Sequence, residues 1–171
     1  MTNTTFMYFA YGSNMLTSRL TDHERAPSAV KIGVGHLIGR RLTFDKLSQD
    51  GSGKCDAERT DSESDCVYGV IFKINSNDEE KLDKEEGLNE GYKKETVPVS
   101  TNDGSIDAKT YIATKKEAAL RPYRWYKALT IAGAIEHNLP CNYIEWLRTI
   151  EAVEDPNIQR REKNEKFLFA S

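Results

Sequence analysis

Strand-like segments occupy the first two thirds of this chain, and helical periodicity is concentrated in the last third. That order constrains the fold more than any other feature, because a regular βαβ alternation would set a helix between successive strands. Phe6–Tyr11 is a short aromatic run stopped by Gly12-Ser13-Asn14, which reads as a buried strand entering a turn. Asn14–Leu20 follows as a short helix with Ser13 or Asn14 as its cap. Val30–Leu37 and Arg41–Leu47 are extended, broken by Gly33, Gly35 and Gly39, and Ser48–Lys54 is a polar loop with an Asp50-Gly51 turn. Cys66–Ile74 is the clearest strand. A helix runs from Asn77 to Glu86, with Asn77 as N-cap, Glu80 completing a capping box and Gly87 ending it. Glu95–Val99 and Ile106–Ala113 form a hairpin around Asn102-Asp103-Gly104. Trp125, Leu129, Ala132 and Ile135 then recur at helical spacing, Leu139-Pro140 interrupts, and Ile144, Leu147 and Ile150 continue a second stripe. Residues after Glu151 are mostly charged, and the expectation is that they lie on the surface or fray. The pattern predicts an α+β fold, a curved mixed sheet with helices packed outside it.

The length of 171 residues fits one domain spanning 1–171, with 152–171 as a charged C-terminal tail. With 24 basic and 27 acidic residues, the net charge of -3 offers no electrostatic reason to bind nucleic acid or an anionic membrane surface. No apolar run reaches the ~18 residues needed to span a bilayer. The first residues have no basic region followed by an apolar one, so a secretory signal is not expected. Cys55, Cys66 and Cys141 are an odd count without a CxxC pair, which fits reduced thiols and a cytoplasmic location.

Most familiar catalytic constellations are missing from the sequence. His23, His36 and His137 lie far apart and share no metal-ligand spacing with a cysteine, so no metal is expected and each reads as surface or structural. Gly33–Gly39 has one residue too many for a dinucleotide loop, and Asp61–Asp65 lacks the spacing and glycine of a calcium loop. Ser13 lacks the flanking glycines of a nucleophile elbow and reads as a cap or turn residue. The turn from Gly12 to Met15 does offer free backbone N–H groups, a suitable cradle for a carboxylate or a developing oxyanion. Glu86 is the most informative residue. Leu82 is the one apolar residue of its helix, and Glu86 stands four residues later on the same face. Pointed inward at a helix C-terminus, its carboxylate would be disfavoured twice over and its pKa raised towards that of a working base. Placed on a frayed last turn, it would be a surface residue like Glu79 or Glu85, and spacing leaves both readings open.

Tyr8-Phe-Ala-Tyr-Gly-Ser-Asn-Met15 resembles the opening motif of the γ-glutamylcyclotransferases, within the AIG2-like superfamily, and Leu82-Asp-Lys-Glu-Glu-Gly87 is similar to that family's second motif. Asp50–Ala57, Val67–Phe72, Gly91-Tyr92, Tyr111, and Tyr126-Lys127 through Leu139-Pro140 match in order and approximate spacing, so the resemblance runs from Phe6 to about Glu151. It implies a small mixed β-barrel-like sheet with flanking α-helices and a cavity beside the first turn. It also implies a cofactor-free reaction on γ-glutamyl amino acids or peptides that releases 5-oxoproline and the free amine, in a protein able to form a homodimer. Under the resemblance Glu86 takes the catalytic position. Tyr8, Phe9, Ala10, Tyr11, Gly12, Ser13 and Asn14 take the substrate loop, and Tyr92 and Tyr111 line the cavity. Ala113, two residues after Tyr111 on the same strand face, is expected to border it. Asn14-Met15 favours the dipeptide branch over glutathione-specific relatives. Glutathione, a γ-glutamyl amine, or carboxylate binding without catalysis are the competing readings. Cys55 departs from the pattern, as does the charged segment Lys115–Pro122, which would tune the leaving group if it bordered the cavity.

Overall fold

The computed structural model of the protein describes residues 3–170. Five strands close into a mixed barrel in the order β1 (Thr5–Ala10), β5 (Cys66–Asn75), β2 (Val30–Ile38), β6 (Tyr92–Thr101) and β7 (Gly104–Ala113). Neighbours pair antiparallel except at the seam, where β1 meets β7 in parallel at Tyr8 and Lys109. A separate two-stranded sheet pairs β3 (Arg40–Leu47) with β4 (Gly53–Arg59). The sequence reading missed β4, because Lys54, Asp56, Glu58 and Arg59 carry little strand propensity. It is the pairing with β3, not local preference, that makes the segment extended.

Helices α1 (Thr17–Leu20), α2 (Glu79–Glu86), α3 (Arg124–Glu136), α4 (Cys141–Arg148) and α5 (Ile158–Glu165) surround the barrel. The capping expectations need correction in two places. Ser13–Met15 is a single 3-10 turn before α1 and neither Ser13 nor Asn14 caps it, because their side chains face the interior. Before α2, a 3-10 turn at Ser76–Asp78 is capped by Asn75, whose side chain accepts from the Asn77 N–H, so the cap lies two residues earlier than expected. Gly87 ends α2 in the left-handed region at φ 70°, as its position implied.

The charged segment after Glu151 is folded onto the body rather than frayed. Asp155 is buried, accepts from Trp125 Nε1 at 2.9 Å and pairs with Arg160 at 2.6 Å, and these partners hold its carboxyl well below the usual carboxylate range. Phe167 is buried under the guanidinium of Arg19, 5.6 Å away, and Arg19 Nη1 donates to Asn164 Oδ1 at 2.7 Å. A stretch poor in apolar residues is thus anchored by one phenyl ring and one buried aspartate with its half-buried arginine.

Helix α3 packs directly on the turn after β1. A Cβ added at Gly133 would lie 2.6 Å from the backbone nitrogen of Leu16 and from Met15 Cβ. His137, at the end of α3, sits 2.8 Å from the Met15 carbonyl through Nε2 and pins the same turn. Gly133→Ala should therefore lower stability by about 1–3 kcal/mol through overpacking, despite alanine's helix advantage of ~1 kcal/mol. Urea denaturation would show a lower midpoint, and an unchanged or higher one would contradict this close packing.

Candidate active site

One face of α2 builds the site. Glu79, Leu82, Asp83 and Glu86 stand at i, i+3, i+4 and i+7 and so share that face. Leu82 is fully buried in the core. Glu79 accepts from Lys94 at 2.8 Å and from Lys109 at 2.5 Å. Asp83 accepts from Lys94 at 2.8 and 2.9 Å and from the Tyr111 hydroxyl at 2.6 Å. Lys94 and Tyr111 are directly opposed on β6 and β7, and Lys109 follows on the same strand face. The helix is thereby clamped to the barrel, and the Gly87 turn closes it with Leu88 N–H donating to the Asp83 carbonyl at 2.9 Å.

Glu86, the last residue of that face, enters a pocket and settles the open question in favour of the inward orientation. Asn14 Nδ2 donates to Glu86 Oε1 at 2.5 Å, and among the described residues no lysine or arginine forms an ion pair with the carboxylate. Burial pushes its pKa up, while the more distant charges of Arg25 and Arg19, the Asn14 hydrogen bond and Lys46 pull the other way. The net direction is upward. Asn14 also donates to the Tyr8 hydroxyl at 3.3 Å, and its own Oδ1 is buried with no partner. The Tyr8 hydroxyl in turn donates to no acceptor among the described residues, and burial keeps its proton on.

Tyrosines line much of the rest. Tyr8 and Tyr92 each meet Tyr111 edge-on, with ring centroids 5.9 and 6.4 Å apart. Tyr11 donates to the Tyr111 carbonyl. The Tyr92 hydroxyl donates to the Cys55 carbonyl at 2.6 Å and the Cys55 N–H donates to the Tyr126 hydroxyl at 3.1 Å, so two phenols fix the β4 backbone. Burial raises the Cys55 thiol to about 12, so it stays protonated and acts as packing. The N–H groups of Gly12, Ser13 and Asn14 donate to no acceptor among the described residues.

Of the residues named from the sequence, Tyr8, Tyr11, Gly12, Ser13, Asn14, Glu86, Tyr92 and Tyr111 come together at this pocket. Phe9 and Ala10 do not: both are buried in the barrel beneath it. Ala113 also stands apart. It lies directly opposite Tyr92, whose ring reaches the pocket while the alanine methyl stops short, and its N–H donates to Asp56 Oδ1 at 2.8 Å. The segment Lys115–Pro122 does not line the pocket either. In its place stand Arg19, Lys46, Lys54 and Tyr126, all of which sequence reasoning left unassigned. Of these Lys54 and Tyr126 had a signal, each within a segment of the motif match, while Arg19 and Lys46 had none. The cations come from α1, β3 and β4, which only the tertiary structure brings to one place. Among the described residues no group of three His, Cys, Asp or Glu side chains has metal-binding geometry, and no helix is long and apolar enough to cross a membrane.

Its likeness to known proteins sets this barrel in an enzyme family. The AIG2-like family matches residues 66–147. Gamma-glutamylcyclotransferase of Mus musculus is 39% identical over 156 residues, covering 88% of this chain and 81% of the mouse protein. That of Homo sapiens is 40% identical over 152 residues, covering 85% and 79%. A solved structure titled gamma-glutamyl cyclotransferase superposes with a TM-score of 0.82 at 34% identity, covering 95% of this chain and 99% of that one. The chain belongs to the γ-glutamylcyclotransferase family.

The raised Glu86 pKa has a consequence for stability. In the window between the unfolded value of ~4.3 and the raised native value, the folded state binds more protons, so this group makes stability fall as pH rises. Glu86→Gln removes that loss while keeping an oxygen to accept from Asn14. The stability of the variant relative to the wild type should therefore increase from acid to neutral pH in parallel denaturation series. A constant difference across that range would show that the carboxylate is not strained by burial.

Proposed function

We propose that this protein is a γ-glutamylcyclotransferase that converts γ-glutamyl amino acids to 5-oxoproline and the free amino acid, with Glu86 as the proton carrier. The observation that carries this reading is the Glu86 carboxylate, held by Asn14 and, among the described residues, unpaired by any lysine or arginine, in a pocket that also holds the free N–H groups of Gly12–Asn14 and the unpartnered Asn14 Oδ1. The substrate supplies its own nucleophile, the α-amine, so the serine and cysteine of the pocket need no catalytic part. Ser13 forms no hydrogen bond to a histidine, and the Cys55 thiol is protonated.

The α-ammonium group meets two acceptors, Glu86 and the buried Asn14 Oδ1. Glu86 takes a proton and frees the amine, which attacks the γ-carbonyl carbon and forms the five-membered ring. The resulting oxyanion and the α-carboxylate draw on the free N–H groups of Gly12–Asn14 and on the Tyr8 hydroxyl. As the C–N bond to the leaving group breaks, Glu86 gives this first proton to the departing nitrogen, then takes the second from the ring nitrogen and delivers it to the released amine, so that the ammonium charge ends on the free amino acid. A carboxyl with a raised pKa suits both halves of this transfer. The walls of Tyr8, Tyr92, Tyr111 and Tyr126 favour a folded glutamyl chain, and ring closure gains from the avoided loss of translational freedom.

The reading sets the reaction in the cytoplasm within glutathione-related metabolism, and the unpaired state of Cys55, Cys66 and Cys141 supports a reducing location. The partly exposed Ile135 and Trp146 on α3 and α4 supply the apolar surface for a homodimer.

Incubation of the purified protein with γ-glutamyl-L-alanine, and separately with glutathione, tests the reaction by mass spectrometry of 5-oxoproline. Release from the dipeptide is expected, and release from neither compound would overturn the proposal. Glu86→Gln should lower kcat by at least about 100-fold while the circular dichroism spectrum is unchanged. In the wild type the acid limb of kcat/KM should lie above the ordinary glutamate value of ~4.3, since the base works only when ionised and burial raises its pKa.

A further inference from the structure

Lys46 is a buried cation without a counter-ion. Only 5% of it is exposed, yet among the described residues it forms no ion pair and no hydrogen bond through its ammonium group. The neighbouring cations are all engaged. Lys54 pairs with Asp50 at 2.9 Å, Arg25 with Glu85 at 3.4 Å, and Arg19 donates to Asn164. Lys116, bridged to Lys46 through the backbone, gathers Asp45, Asp56 and Glu58 to itself at 3.4, 2.9 and 2.8 Å. Among the described residues Glu86 is the one neighbouring carboxylate without a cation of its own, and it attracts the Lys46 ammonium only from a distance, with no ion pair between them.

Its placement is costly in a second way. One extra residue between Thr43 and Lys46 shifts the β3 register, and Lys46 then stands directly opposite Lys54. Directly opposed like charges destabilise a sheet, and a buried unpaired charge is more costly still. The stem crosses Gly91, where an added Cβ would lie 2.8 Å from Lys46 Cε, and the ammonium rests 4.4 Å from the centroid of the Tyr92 ring. The aromatic face steers the cation into the pocket but supplies no full negative charge. Such a group awaits an anion from the ligand.

We propose that Lys46 binds the carboxylate of the leaving amino acid, making the protein select γ-glutamyl amino acids over γ-glutamyl amines. The assignment rests on the reaction proposed above. A γ-glutamyl amino acid carries two carboxylates. The α-carboxylate shares its carbon with the amine held by Glu86 and Asn14, and so falls beside the free N–H groups of the turn that contains Asn14. The second carboxylate lies one carbon beyond the scissile nitrogen, away from that turn, and Lys46 occupies a different wall, carried by β3 and laid on Tyr92.

The test compares γ-glutamyl-L-alanine with γ-glutamylethylamide, which differ by that carboxylate alone. In the wild type, kcat/KM should favour the dipeptide by about 10- to 100-fold, the range of a charged hydrogen bond. Lys46→Met should bring the ratio close to one, and Lys46→Arg should retain most of it. A wild type without preference, or an equal fall for both substrates in Lys46→Met, would overturn the assignment, since an effect through Glu86 would weaken both alike. If Lys46→Met does not fold, Lys46→Gln gives the same comparison. Calorimetric binding of the two compounds to Glu86→Gln, with and without Lys46→Met, separates this inference from the reaction itself. A dipeptide preference that depends on Lys46 supports the assignment even where no turnover is found, whereas absence of binding to either compound overturns both.

Discussion

The clamp between α2 and the β6–β7 hairpin governs the rest of the structure. An eight-residue helix with one apolar side chain has almost no intrinsic stability in water. Here Glu79 and Asp83 lock it to Lys94, Lys109 and the Tyr111 hydroxyl, and Leu82 inserts between them. Isolated surface pairs contribute little, but a shared network of partly buried groups holds a geometry that single pairs do not. Three members of the helix face are consumed in holding it. The fourth, Glu86, is carried to the pocket by the same rotation and left without a cation.

The pocket depends on that inequality. Tyr8, Tyr11, Tyr92 and Tyr126 are buried phenols whose protons stay on, and Asn14 presents one satisfied and one unsatisfied end. The turn that carries Asn14 is pressed into place by α3 through Gly133 and His137, and α3 is in turn braced through its Trp125 by Asp155 of the folded tail. Arg19 links the two regions, because it lines the pocket while stacking on Trp125 and Phe167. The C-terminal segment therefore supports the site although it contributes no lining residue to it.

Much of this was legible in local patterns. The strands that repeat apolar residues, the hairpin at Asn102–Gly104, the left-handed stop at Gly87 and the break at Leu139-Pro140 each follow from short-range chemistry. The motifs around Tyr8–Met15 and Leu82–Gly87 brought the two halves of the site together in one reading. Misses fell where a local rule was overruled from a distance. β4 is charged and becomes a strand only by pairing with β3. The tail looked unable to bury anything, and a single phenylalanine with one aspartate was enough. Ala113 was placed by strand alternation alone, and alternation says nothing of how far a side chain reaches.

By itself the sequence determined the kinds of element, their order, and the two motifs that carry the chemistry, because hydrophobic period, turn residues and caps act over a few residues. The tertiary structure decided which way Glu86 faces, which cations surround it, and which of them lacks a partner. Spacing puts Glu79, Asp83 and Glu86 on one helix face, but the lysines that claim the first two lie on strands 11 to 30 residues away. Lys46 and Lys54 likewise become neighbours only when β3 and β4 pair. Charge and burial are properties of what surrounds a side chain, and only folding supplies those surroundings.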